Sequence, residues 1–208
     1  MKTVFDYGEY EKLFTDERTQ KIFNEVDKIS KKTEIKYSLI GGMAAYIRVK
    51  NPPDDFPDLD FQLFCRVSDG KKFIEAVSKR PKFELISAGF EDDATFGVLF
   101  YDEDIQVDIF TDMEQLKPAK TSRMANVELS PVEFLIIEKL IRSKASDIRS
   151  VLDLLAFEDY DKRVLYQMAR ERHLSGAIRH LEYFARRIVL GKISKSGIES
   201  VVKRLTDS

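Results

Sequence analysis

The apolar pattern changes period at Ser130-Pro131. From there to the C-terminus apolar residues recur at helical spacing, whereas before it short strand-like runs alternate with helical segments. Ser130 is an N-cap candidate, Pro131 suits a first helical position and Glu133 places negative charge in the first turn. The period predicts helices over about 131–143, 146–157, 160–173, 175–190 and 194–206. Residues 1–128 and 129–208 are therefore expected as two domains, the second a helical bundle.

The first part reads as a mixed sheet with helices packed on it. Phe14, Ile22, Phe23, Val26 and Ile29 keep helical spacing and end near Ser30-Lys31-Lys32-Thr33. Tyr37-Ser38-Leu39-Ile40 is strand-like and runs into Gly41-Gly42, after which Met43 to Arg48 reads as a helix stopped by Asn51-Pro52-Pro53. Asp58 opens an apolar strand, Gly70 to Lys79 reads as a helix, and Phe83 to Ser87 as another strand. Ala94–Tyr101 and Ile105–Phe110 form a hairpin about the turn Asp102-Glu103-Asp104. The fold class is α+β, a mixed β-sheet core with flanking helices followed by a C-terminal helical bundle.

With 208 residues, 43% hydrophobic and 34% charged, the chain has an ordinary globular composition. Its long apolar run Phe134-Leu135-Ile136-Ile137 stops at Glu138, well short of a membrane span. The N-terminus turns polar and acidic too early for a signal peptide, and the single cysteine, Cys65, suits a reducing compartment. A cytoplasmic location is expected. Charge is divided unevenly: residues 1–128 carry 19 Lys/Arg against 25 Asp/Glu, and residues 129–208 carry 15 against 11. Within residues 161–195 nine basic residues face three acids, a balance suited to a polyanionic substrate.

Chemistry concentrates in three aspartates. Asp58 and Asp60 are two apart at the start of a strand, so both side chains lean to one side, where two like charges are costly without a cation. Asp108, in Ile105-Gln106-Val107-Asp108-Ile109-Phe110, is a carboxylate among apolar residues and needs a partner to offset its desolvation. Three aspartates from two neighbouring strands can hold one or two Mg2+ (or Mn2+), the hard cations that oxygen ligands favour.

A Gly-Gly turn after a strand, an Asp-x-Asp pair and a later Asp in an apolar strand resemble the DNA polymerase β-like nucleotidyltransferase superfamily. The nearest branch in resemblance is the AbiEii-type nucleotidyltransferases, with a lysine on the first helix after the sheet and acids on the next. Here Lys139, Asp147 and Asp153 take those places, and the match covers roughly residues 35–155. The resemblance implies that Gly41 and Gly42 contact nucleotide phosphates, that Asp58 and Asp60 bind metal, and that Asp108 ligates metal and activates an acceptor hydroxyl. One departure stands out: where that branch carries Arg and Ser or Thr before the aspartate pair, this chain has Asp54-Asp55-Phe56-Pro57. Arg48, Lys50 or the helical domain is left to supply the positive charge.

Lys139 shares a helical stripe with Val132, Leu135 and Ile136, so its ammonium either emerges from an apolar face toward a cleft or pairs with Asp147 or Asp153. Arg123, with Lys117 and Lys120, is a second nucleotide-binding candidate; His173 and His180 are too few and too distant for a histidine metal site.

The expected activity is Mg2+-dependent transfer of a nucleoside monophosphate from an NTP, ATP among them, to a hydroxyl of an RNA (tRNA included), a protein or a small molecule. The basic helical domain is the expected seat of an RNA or protein acceptor. Two other readings remain. One is a catalytically inactive nucleotide-binding or regulatory module, toxin-antitoxin-like. The other is a small-molecule nucleotidylating enzyme whose acidic acceptor pocket uses Glu91, Asp92 and Asp93.

Overall fold

The protein is described by a computed structural model over residues 17–49, 58–90, 94–112, 121–124 and 127–206. It divides into two compact units, Met1–Ser130 and Pro131–Ser208. The division falls after Ser130 because the residues just before it are a strand of the first unit's sheet.

In the first unit, helix α1 (Glu17–Thr33) precedes β1 (Lys36–Leu39), α2 (Gly41–Val49), β2 (Leu59–Phe64), α3 (Val67–Ser78), β3 (Phe83–Phe90), β4 (Ala94–Tyr101), β5 (Ile105–Asp112), β6 (Ser122–Met124) and β7 (Val127–Leu129). One mixed sheet of seven strands results among the described residues, in the order β3-β4-β5-β2-β1-β7-β6. β2 runs parallel to β5 and antiparallel to β1, and β1 runs parallel to β7. The sequence reading missed β6 and β7, because three-residue strands are too short to show a period.

Alternation assigns the sheet faces. On β4, Thr95, Gly97, Leu99 and Tyr101 are buried, while Phe96, Val98 and Phe100 are at least partly open. α3 covers the buried face: a β-carbon on Gly97 would lie 2.7 Å from Ile74. α1 inserts Ile22, Phe23 and Val26 into the core, and Phe23 meets Phe61 edge-on at 6.2 Å between ring centres.

Ser130 ends the sheet rather than capping a helix. Its N–H donates to the Leu39 carbonyl at 3.1 Å, its hydroxyl bonds that of Ser38 at 2.7 Å, and its carbonyl accepts from the Arg48 guanidinium. Arg48 also donates to Ser122 at 2.9 Å. This buried arginine thus ties α2 to β6 and β7, which is a structural use of the charge that the sequence offered to phosphate.

The second unit is helical throughout: α4 (Val132–Arg142), α5 (Ala145–Phe157), α6 (Lys162–Glu171), α7 (Ser175–Val189) and α8 (Lys195–Thr206). Pro131 stands at the N-cap of α4 with no side-chain cap, one residue later than the sequence suggested. Asp161 caps α6, accepting from the N–H groups of Arg163 (2.8 Å) and Val164 (3.2 Å). Among the described residues no helix is long and apolar enough to cross a membrane.

Candidate active site

Asp60 lies on β2 and Asp108 on β5, directly opposite one another in the parallel register. Paired residues of parallel strands project to the same face, so both carboxylates share one side of the sheet. Asp58 immediately precedes β2 and is exposed; strand alternation puts it on Asp60's side.

Asp108 is half-buried, and its pKa is raised, chiefly by loss of hydration; the Gln106 amide opposes this and the Asp58 charge adds to it. Gln106 donates to both Asp108 oxygens at 3.1 Å. Gln106 was missed in the sequence reading, although its signal was present: it sits two residues before Asp108 on the same strand, and hence on the same face.

The glycine turn meets this site through its backbone. Gly41 has φ +68°, and a β-carbon there would lie 1.9 Å from Asp60 Oδ2. The Asp60 carboxylate therefore packs on the first residue of α2, where unpaired N–H groups and the helix dipole favour negative charge. The Ile40 N–H donates to the Asp60 carbonyl at 2.9 Å and fixes the turn against β2. Gly42 follows within the first turn of α2 and is half-buried.

The donor chemistry fits Mg2+, which takes one or two carboxylates and completes its shell with water and substrate phosphates. Among the described residues no group of three or more His, Cys, Asp or Glu side chains is arranged to hold an ion by itself. The arrangement is an open one, with two carboxylates in register and a third at the margin.

Lys139 does not emerge from its apolar stripe: its side chain is 4% exposed and donates to Asp147 Oδ1 at 3.2 Å, where Arg142 also donates at 2.7 Å. Arg123 lies on β6 opposite Glu128, with its side chain outside the described residues. Lys50, Asp54, Asp55, Glu91, Asp92, Asp93, Lys117 and Lys120 also lie outside them. His173 and His180 are exposed in the helical unit.

No family model and no curated protein matches the sequence. Solved structures do match. An antigenic nucleotidyltransferase-like protein from Paracoccidioides brasiliensis aligns over 79% of this chain and 93% of its own, with 16% identity and a TM-score of 0.51. The antibiotic-resistance factor ANT(2'')-Ia aligns over 82% of this chain and 100% of its own, with 11% identity and a TM-score of 0.54. At such identities the likeness is one of fold alone, the fold that this chain shares with these two proteins.

Proposed function

We propose that this chain is a nucleotidyltransferase that moves a nucleoside monophosphate from an NTP to an acceptor hydroxyl, releasing pyrophosphate. The observation that carries the reading is the register of Asp60 with Asp108, beside the glycine-opened N-terminus of α2. Asp60 and Asp108, with Asp58 at the margin and water and substrate phosphates completing the shell, would hold Mg2+ (or Mn2+), which when bound supplies charge neutralisation at the phosphates. Asp108 accepts the proton of the acceptor hydroxyl. Gln106 holds the Asp108 carboxylate in one orientation. The N–H groups at Gly41 and Gly42 face the negative charge of the nucleotide, and Arg123 is assigned to its phosphates.

The finer resemblance, to AbiEii-type enzymes, rests on Lys139 followed by Asp147 on the next helix; these two form a buried ion pair here. A nucleotide-binding module without turnover is the second reading. It is favoured by the occupation of both Asp108 oxygens by Gln106 and by the acidic Asp54-Asp55 before the aspartate pair.

Incubation of the protein with each α-labelled NTP, Mg2+ or Mn2+, and pools of RNA, protein and small molecules tests the reading. Metal-dependent label that is lost in Asp60→Asn and Asp108→Asn supports transfer. Intact NTP binding without incorporation on any acceptor supports the binding module instead.

A further inference from the structure

Helix α7 exposes a stripe of one chemical character. Arg179, His180, Tyr183 and Arg186 are exposed and Arg187 is half-buried, and their spacing places all five within one third of the helix circumference. The opposite side buries Ile178, Leu181 and Ala185. The single acid of this helix, Glu182, turns inward and accepts from Tyr160 (2.9 Å), Tyr166 (2.9 Å) and Lys162 (3.1 Å). Among the described residues none of Arg179, Arg186 and Arg187 pairs with a carboxylate. Of the three acids in residues 161–195, Asp161 is used as a cap, Glu171 accepts from Gln167 at 3.4 Å and Glu182 is consumed internally, so none of them pairs with the arginines of the stripe.

Tyr183 sits among these arginines with 55% of its surface exposed. The Arg187 guanidinium lies 5.6 Å from its ring centre and donates to its hydroxyl at 2.9 Å, and Phe184 meets it edge-on at 5.4 Å. The ring is thereby held in place with one face supported. The stripe contains no lysine; the charges are guanidinium groups, whose planar fork matches phosphate and whose face stacks on bases. Arginines flanking an aromatic platform fit an unstacked nucleic-acid strand better than they fit a duplex or an acidic peptide.

We propose that the Arg179–Tyr183–Arg186–Arg187 face of α7 binds single-stranded RNA, with phosphates on the arginines and a base stacked on Tyr183. This names the acceptor class for the transfer proposed above and rests on that reading for the transfer, though not for the binding. The stripe from Arg179 to Arg187 runs about 12 Å along the helix axis, room for a few nucleotides.

Fluorescence anisotropy of a labelled single-stranded RNA of about a dozen nucleotides, titrated with the full-length protein at several salt concentrations, reads this directly. The wild-type protein is expected to bind with salt-dependent affinity. Arg179→Gln/Arg186→Gln should weaken binding roughly tenfold or more and lower the log–log salt slope by about 1.4, the loss of two phosphate contacts. Tyr183→Ala should weaken binding by about fivefold or more while leaving the slope unchanged. Circular dichroism of each variant confirms that these surface changes leave the fold intact. Wild-type-like binding in the variants, tighter binding to duplex RNA, to single-stranded DNA, to an acidic peptide or to anionic vesicles, or no binding at all would each overturn the proposal. Asp108→Asn separates the two readings. It should bind the RNA as wild type does while losing transfer, and transfer to a different acceptor without RNA binding would remove this inference alone.

Discussion

Gly41 and Asp60 leave no space between them: a β-carbon on the glycine would stand 1.9 Å from the aspartate's Oδ2. The glycine also occupies a left-handed conformation, φ +68°, so a side chain there would be strained as well as obstructed. Gly191, at φ +63° and with open space for 4 Å around the position a β-carbon would take, isolates the strain from the obstruction. Gly191→Ala is expected to cost about 1 kcal/mol. Gly41→Ala should cost measurably more in chemical denaturation and should also abolish metal-dependent transfer, because Asp60 must move. Equal costs for the two variants would show that the Asp60 contact does not constrain the turn.

Asp108 sets a trade between stability and activity. Lost hydration, reinforced by the Asp58 charge, raises its folded pKa above the ordinary carboxylate value. A raised folded pKa means that the ionised form opposes folding. The metal-free protein should therefore gain stability from this group as pH falls through its folded pKa, until the unfolded-state value is passed. Asp108→Asn is expected to raise the Tm of the metal-free protein at neutral pH while lowering transfer by at least about 100-fold. A lowered Tm would contradict the assigned cause.

Carbon-detected NMR titration of metal-free protein examines the same group without relying on turnover. Asp58→Asn should move the Asp108 pKa down, since it removes a like charge, and Gln106→Leu should move it up, since it removes the donor to both oxygens. If neither variant moves the titration, Asp58 and Gln106 are not the neighbours that tune Asp108.

Glu182 behaves in the opposite sense. Burial acts to raise its pKa, but the bonds from Lys162, Tyr160 and Tyr166 outweigh it and hold the carboxyl below its usual value. A depressed folded pKa contributes stability that is present above the unfolded value, 4.5, and is lost as pH falls through the folded value. Glu182→Gln should cost about 1–3 kcal/mol at pH 7 and progressively less in more acidic solution, as read from urea melts. A cost independent of pH would remove the charge from the account.

Lys139 and Asp147 form a buried pair, and truncating Lys139 leaves the buried Asp147 carboxylate to the half-exposed Arg142 guanidinium, which offsets part of the loss. Lys139→Met is expected to destabilise by about 1–3 kcal/mol, because Arg142 still pairs with Asp147, and Lys139→Met/Asp147→Leu by less than the single change. NTP affinity measured on folded protein should fall less than about threefold in the double variant. A much larger fall, with stability restored, would assign Lys139 to the phosphates.

Local pattern carried much of this molecule. Helical spacing after Pro131 marked α4 to α8 because each helix closes its hydrogen bonds within its own segment, and the apolar stripe records which side is buried. The hairpin of β4 and β5 was legible for a similar reason: its strands are neighbours in sequence, joined at Asp102 and Glu103. Asp108 announced itself as a charge in an apolar strand that required an explanation. The charges suggested that the strands of Asp60 and Asp108 are neighbours, but pattern alone could not supply the direction or register of their pairing. The parallel pairing of β2 with β5 joins residues far apart in the chain, and no local period records it; yet that pairing alone sets Asp60 opposite Asp108. Ser130 and Arg48 teach the same lesson. Each has a side chain suited to an exposed role, as a cap or a phosphate ligand, and each is instead used inside the sheet unit, because buried carbonyls and hydroxyls brought together by the tertiary fold must be satisfied.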